Sequence, residues 1–526
     1  MKYVQPLCTL LFGVAVLLFF GLAYPHHLHY QEQFQLFLFD STYMWEVVKL
    51  PGGLADLLGR FCTQFFLFAW VGALIIALLL SVVQLLTLGG LRSKGGGQRS
   101  KVNGQWCYGL SFVPSFLLWL FLLDENALLG GVWAVLLTLL ASWLFDQLPR
   151  GWVRRILLIV AVPVLYWVAG PVCIIFFLLQ VSRLPMALLM AVMVFILSFF
   201  LPVPSRSLWL GIHYYRYPTE IPVMLWAATL SVLVYRLLAP RSSLLAQRST
   251  LHAPLSSLHS PLSTLLSVVL VAVVMGGFVW KNSNLKAERV MQYDFMARHQ
   301  QWNRIIETIN AEPPNNAIGC TVQNLALGMH GALVYQLLDY NQNGTLGLLP
   351  DVQSDAFSPL PTAEVFYQLG MVYTTQRTVF EAQESILDFQ KSARCYKRLA
   401  QTNLIIGSYA VSRKYLTALQ KTLFYRDWAN ETLTLLGNEE AISKHPEYGR
   451  LRKFAYHDNF FFSDHVTVEM LQSLFLSNTE NRLAYEYLIA YCLLTGDREN
   501  FAKYAEWGKK LGCPSVPRRI QTSMQQ

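Results

Sequence analysis

Reactive side chains concentrate in one short stretch of the chain. From Tyr24 to Asp40 it reads YPHHLHYQEQFQLFLFD, which places His26, His27, His29, Glu32 and Asp40 directly after an uncharged apolar run. A carboxylate at a membrane surface serves as a general base, or as a ligand to a divalent cation carried with a phosphate. Glu32 and Asp40 are the candidates for both roles. His29 precedes Glu32 by three residues and shares its face if the stretch is helical. The spacing stops short of a motif, because no His-Glu-x-x-His follows and no Asp-x-Asp is present. Three readings stay open: an interfacial loop satisfied by packing and water, a binding site for a lipid headgroup, and catalysis by Glu32 or Asp40. Only catalysis calls for a divalent metal, and no other cofactor is expected.

Other candidates are sparser. Asp124-Glu125 joins two apolar runs through a short turn, where solvation is the expected role. Gln64, Gln84 and Arg236 are the polar residues a transport path would use, since the apolar runs hold almost no ionisable groups. Gly89-Gly90 and Gly95-Gly96-Gly97 lack the order of a phosphate-binding loop. The eight cysteines form no C-x-x-C pair and read as isolated thiols.

The elements that must position these groups follow from composition. The chain has 526 residues, 54% hydrophobic and only 14% charged. The excess is uneven: residues 1–280 hold 16 Lys/Arg and 8 Asp/Glu, and residues 281–526 hold 25 and 24. The division predicts a transmembrane domain over 1–280 and a soluble one over 285–526. Spans of roughly 20 apolar residues cross a bilayer. About eight segments qualify: Leu7–Tyr24, Phe65–Leu88, Tyr108–Leu123, Ala127–Phe145, Ile156–Leu179, Leu184–Leu201, Ile221–Leu238 and Leu262–Val279. The first exceeds the apolar run of a signal peptide and is read as a retained span. Eleven of the 14 tryptophans precede residue 281, and Trp106, Trp152 and Trp280 mark span ends as interfacial anchors do.

Orientation rests on Lys and Arg in short loops. Arg92, Lys94, Arg99 and Lys101 form one cluster, Arg150, Arg154 and Arg155 a second, Arg206 and Arg216 a third. With eight spans these loops and Lys2 share the cytoplasmic side, and the loops Glu32–Asp56, Asp124–Glu125 and Ser182–Arg183 face out. Arg241–Arg248 contradicts this scheme by falling outside. An even count leaves the C-terminal domain in the cytoplasm, and one span more or fewer moves it out. The basic loops also explain the +9 net charge without a nucleic-acid partner.

After Trp280 the apolar pattern turns helical. In AEVFYQLGMVYTTQRTVFEAQESILDF, residues 363–389, Phe366, Leu369, Gly370 and Tyr373 are read on one helix, Ala382 and Ile386 on the next. This resembles the tetratricopeptide repeat. A second unit carries Leu404, Ile405, Tyr409, Tyr415 and Ala418, with Gly407 one place late, and 483–512 gives a final pair with its turn at Gly496-Asp497. The resemblance implies stacked helix pairs with a surface for a peptide or protein. Tyr373, Tyr409 and Tyr415 are its candidate contact residues.

HLHYQEQFQLFLF at 27–39 and LPGGLADLLGRFCTQFF at 50–66 resemble an uncharacterised family of polytopic membrane proteins found in Bacteroides-like bacteria. The resemblance implies a multi-pass protein of a Gram-negative inner membrane and no particular activity. The expected fold is all-α, a transmembrane helical bundle followed by a tetratricopeptide-like domain. The expected role is protein binding or complex assembly at the membrane. The alternatives are a membrane-embedded glycosyltransferase or lipid-modifying enzyme acting from Glu32 and Asp40, by positional likeness to transferases of lipid-linked sugars, and a transporter.

Overall fold

The computed structural model describes residues 4–92, 108–149, 151–179, 183–248, 261–350, 358–387, 390–456, 467–513 and 516–525. Lys2, Lys94, Gly95 to Gly97, Arg99, Lys101, Trp106, Arg150 and Ser182 lie outside them, as do the side chains of Arg92, Arg183 and Arg241–Arg248. The chain is helical throughout, with no strand among the described residues and two isolated bridges. It forms two compact units, Met1–Leu285 and Lys286–Gln526.

The first unit contains α1 (Val4–Leu18, extended by a π turn to Ala23), α2 (Pro25–Glu32), α3 (Ser41–Val48), α4 (Gly53–Thr63), α5 (Ala69–Arg92), α6 (Val113–Phe121) and α7 (Leu129–Gln147). It continues with α8 (Trp152–Ala169), α9 (Ile174–Leu179), α10 (Arg183–Leu197), α11 (Ser205–Leu210), α12 (Val223–Arg248) and α13 (Pro261–Asn282). Five helical stretches are long and apolar enough to cross a bilayer: Val4–Ala23, Ala69–Gly89, Leu129–Gln147, Trp152–Leu179 and Leu265–Asn282. Tyr108–Phe121, Pro185–Leu197 and Val223–Arg236 are shorter apolar helices. Trp152 and Trp280, at helix ends, are 74% and 67% exposed, as side chains anchoring in an interface are.

Specific contacts define two ends of this bundle. At the amino-terminal end the Tyr108 hydroxyl donates to Gln5 O, and Thr9 Oγ1 donates to Gln84 Oε1 at 3.0 Å. Gly89 faces Trp143 there. Arg154 and Arg236 meet Asp146, each at 3.6 Å. At the other end, the α2 end, His29 lies 3.1 Å from Phe66 O, and Gln31 Nε2 donates to Ala127 O at 3.1 Å. Gly52 N donates to Tyr166 O at 3.1 Å, and Asn284 N donates to the Tyr24 hydroxyl. The helices α1, α5, α6, α7, α8, α12 and α13 run alternately between these ends.

Two expectations change. The fifth segment is not one straight run: Gly170, at φ +69, opens a 3-10 turn through Cys173 that separates α8 from α9. A Cβ at Gly170 would sit 2.6 Å from the Tyr214 hydroxyl, so the turn needs glycine twice over. α9 and α10 then leave and return to the α2 end, where Leu208 O accepts from Tyr166 and Ala169 O accepts from Tyr214. The second change concerns Arg216, expected opposite Asp124-Glu125. Arg216 N donates to Asn126 O at 2.9 Å, and the Tyr215 hydroxyl donates to Asp124 at 2.8 Å, so both loops lie at the α2 end. Residues 241–248 continue α12 past Arg236 and extend from the amino-terminal end.

The second unit contains α14 (Leu285–Arg298), α15 (Trp302–Ala311), α16 (Ala317–Met329), α17 (Leu333–Gln336), α18 (Pro359–Leu369), α19 (Val372–Glu384), α20 (Ala393–Ile405) and α21 (Tyr409–Leu419). Then follow α22 (Arg426–Leu435), α23 (Glu439–Lys444), α24 (Tyr448–Phe454), α25 (Thr467–Ser477), α26 (Arg482–Thr495), α27 (Arg498–Lys510) and α28 (Arg518–Gln525). Gly370, Gly407, Gly437 and Gly496, at φ of +88, +83, +82 and +70, turn successive helices into hairpins. This revises the register read from sequence. Gly370 ends α18, so Tyr373 opens the next helix and does not share one with Phe366. Gly407 likewise separates Leu404 and Ile405 from Tyr409.

Side chains from α16, α17, α18, α25, α26 and α27 share one apolar core. Elements far apart in sequence therefore close on each other, and α18 is buried along its whole length. Asn316, Ser392, Asn438, Asn481 and Asp497 accept from backbone amides at helix starts, which supplies the stop-and-start signals between hairpins.

Candidate functional site

The α2 end of the first unit carries the densest polar assembly of the apolar half. Its foundation is α4. Gly52, at φ +78, and Gly53 turn the chain into this helix. Gly59 lets α4 touch α7 backbone to backbone, since a Cβ there would lie 2.5 Å from Gly130 N. On α4, Arg60 Nε donates to both oxygens of Asp56 at 2.9 Å, and His213 Nδ1 lies 3.6 Å from Asp56 Oδ2. All three residues are buried. Burial alone would depress the Arg60 guanidinium, but Asp56 and Tyr43 outweigh it and hold the group above its ordinary range.

Pro25 starts α2, and every residue from His27 to Phe37 is buried. The stretch expected as a surface loop is thus part of the packed interior. His27 is pushed down to about 4 by burial, against an opposing hydrogen bond that it donates to the Leu122 backbone. The Phe66 carbonyl can only accept, so His29 Nδ1 carries the proton toward it. Glu32 is 4% exposed at the end of the helix. Asp40 caps α3 by accepting from Thr42 N at 3.0 Å. Glu32 and Asp40 therefore serve different elements. Among the described residues no group of three or more His, Cys, Asp or Glu is arranged to hold a metal ion.

Sequence reasoning passed over the residues that converge beside α2. Arg216 Nη1 donates to the Tyr30 hydroxyl at 3.0 Å, and its guanidinium lies 3.9 Å over the Phe34 ring. Tyr30 is pushed up to about 12 by burial, an effect that Arg216 moderates. Arg216, Phe34, Gln31, Gln35, Thr63 and Glu125 line a cleft of about 10 Å³, room for one water. The signal was present as three glutamines and a glutamate in QEQFQ, but nothing local pairs them with residue 216.

The remaining candidates are accounted for by neighbours. Gln84 accepts from Thr9 and donates to Ser111 at 2.9 Å, and Gln64 donates to Phe61 O at 2.9 Å. Arg236 donates to Ser142 at 3.2 Å beside Asp146. In the second unit, Tyr409 donates to Glu439 and accepts from Arg452, and Tyr415 packs edge-on against Tyr396 at 5.1 Å. Tyr373 alone of the three tyrosines stands well out, at 43% exposure.

The chain matches a family of unknown function, DUF6057, over residues 1–525, and belongs to that family. No curated protein and no solved structure matches it.

Proposed function

We propose that this member of the DUF6057 family is a multi-pass inner-membrane protein whose C-terminal helical unit binds a protein partner outside the cytoplasm. The observation that carries the docking role is the outer face of α19. Tyr373 and Phe380 lie seven residues apart, share one face, and are 43% and 50% exposed. Exposed aromatics of this kind anchor protein interfaces. The glycine-turned hairpins support a short stack of helix pairs, related to tetratricopeptide repeats by periodicity and not by the register of their glycines.

The bundle supports this choice of side. The chain enters at the amino-terminal end and leaves, through Asn284 beside Tyr24, at the α2 end. Arg154, Arg236 and the 241–248 segment belong to the amino-terminal end, and Arg206, expected there with Arg216, lies beside Leu208 at the α2 end, so the basic loops agree once both Arg206 and Arg216 are removed from the count. On this reading that end faces the cytoplasm of a Gram-negative cell, and the chain leaves the bundle outside it.

The enzyme alternative has less support, because Asp40 is committed to a helix cap and Glu32 to the interior. Transport has less as well, because Gln64, Gln84 and Arg236 each bond to neighbours. A reporter active only outside the cytoplasm, fused after Gln526, tests the side. Activity is expected, and activity of a cytoplasmic reporter instead overturns it. Cross-linking in intact cells with a photoreactive group at residue 380 tests docking. A discrete protein adduct is expected, and lipid-only or absent adducts count against it.

A further inference from the structure

The cleft beside α2 has unspent hydrogen-bonding capacity. Gln35 is 4% exposed, lines the cleft, and its side-chain amide makes no hydrogen bond among the described residues. Gln31 donates through Nε2 to Ala127 O and, at 3.5 Å, to Asp124 O, which leaves its Oε1 without a donor among the described residues. Glu125 makes no ion pair among them, although Arg216 lines the same cleft. Arg216 itself is anchored by Tyr30 and Phe34. The walls come from four separate segments and are tied together by Leu128 N to Tyr214 O at 3.1 Å and Arg216 N to Asn126 O at 2.9 Å. None of these free donors and acceptors is sealed from solvent, so they face the cleft and are open to a polar group that enters it.

The composition of the walls selects the ligand. Arg216 and the Gln35 NH₂ group donate, while Glu125, Gln31 Oε1 and Gln35 Oε1 accept. A phosphate or carboxylate would face Glu125, and a lone cation would face Arg216. Like charges at about 4 Å repel by about 4 kcal/mol in a partly buried setting. A hydroxyl both donates and accepts, carries no charge, and has the size of the water this cleft admits. We propose that the cleft receives one hydroxyl group at the edge of a sugar or glycerol moiety. Its location at one end of an apolar bundle admits two sources, a free sugar or the glycosyl headgroup of a membrane lipid.

The test uses the full-length protein in detergent. Native mass spectrometry reads retention of monoglucosyl diacylglycerol against diacylglycerol and phosphatidic acid, and saturation-transfer NMR reads contact with free glucose. The variants are Gln35→Leu, which removes no hydrogen bond, and Glu125→Gln, which keeps an acceptor and loses the charge. Preferential retention of the glucosyl lipid, falling about tenfold in Gln35→Leu with an unchanged thermal midpoint, supports the proposal with a lipid source. Contact with glucose alone, lost in the same variant, supports it with a free source. Glu125→Gln is expected to raise phosphatidic acid retention from its low starting value. Equal retention of all three lipids without glucose contact overturns the proposal. So does sugar binding that Gln35→Leu leaves intact, or a preference of the parent for phosphatidic acid.

Discussion

Two buried arginine sites, one in each unit, contrast, although Arg60 in the N-terminal unit is paired with Asp56. In the C-terminal unit Arg394 donates to Asp294 at 2.7 and 2.9 Å and to Glu364 at 3.1 Å, while Arg398 donates to Glu364 at 2.5 Å and covers the Tyr367 ring. Three helices, α14, α18 and α20, are joined by a cluster in which each carboxylate has a cation. In the N-terminal unit Arg216 is held by a hydroxyl and a ring, and the carboxylate nearest its cleft stays unbonded to it. A closed cluster fixes the geometry of the helices that supply it. An open one leaves hydrogen-bonding capacity for a ligand. Burial alone does not separate these cases, since Arg394 and Arg216 are 6% and 8% exposed.

The comparison breaks first at Arg394. Its replacement by Ala leaves Asp294 and Glu364 facing each other in the interior, with Arg398 as the remaining cation, and is expected to destabilise the unit by about 3–5 kcal/mol. Protease resistance of the full-length protein at the 286–526 region measures it, and an unchanged digestion midpoint would remove the distinction between closed and open clusters. The matching loss in the first unit is expected at Gly59. A leucine there must push α4 away from Gly130, at a cost of about 1–3 kcal/mol or more. Thermal unfolding in detergent checks this, with Gly59→Ala expected to show a smaller drop.

The pH dependence sharpens the comparison within the second unit. Burial would raise Glu364, but Arg398 and Arg394 outweigh it and hold the carboxyl at about 2. Its contribution is complete above its ordinary 4.5 and is lost as pH falls toward 2. Glu486 is pushed the other way, up to about 7, by burial that hydrogen bonds from the Leu333 and Val334 amides only partly offset. Its contribution is complete below 4.5 and is lost as pH rises through about 7. Protease resistance followed across pH should therefore fall on both sides for the parent chain. Glu486→Gln should flatten the rising-pH side only; a profile identical to the parent would argue against a buried carboxyl at that position. The smallest effect is expected at the exposed face of α19: Tyr373→Ser with Phe380→Ser should change stability by about 0.5 kcal/mol or less while abolishing partner adducts.

The all-helical fold was legible in the sequence because its signals are local. Uncharged runs near 20 residues, a change to 3.6-residue periodicity after Trp280, and Gly496-Asp497 as a turn depend only on neighbours in the chain. Among the hairpin glycines Gly496 was read as a turn, but Gly370 was misplaced. Gly370 was read as a small residue inside a helix, whereas its left-handed backbone ends one. A lone glycine between Gln368-Leu369 and Met371-Val372 looks the same in either role. The candidate site was legible by half. The residues of α2 stood out by type, yet Glu32 and Asp40 drew attention that Gln31, Gln35 and Arg216 hold in the structure.

The sequence by itself determined which residues lie in apolar helices and which in amphipathic ones, since burial preference and helical period are properties of short segments. Only the tertiary structure decided the direction of each helix and the company each polar group keeps. The turn at Gly170 returns α9 and α10 to the end they left, and that brings Arg216 beside Gln31 and Glu125 from 186 residues beyond its partner Tyr30. The physical reason is that a bilayer-length helix tolerates either direction equally, so the choice falls to contacts between distant segments. Those contacts carried the loops and the cleft with them.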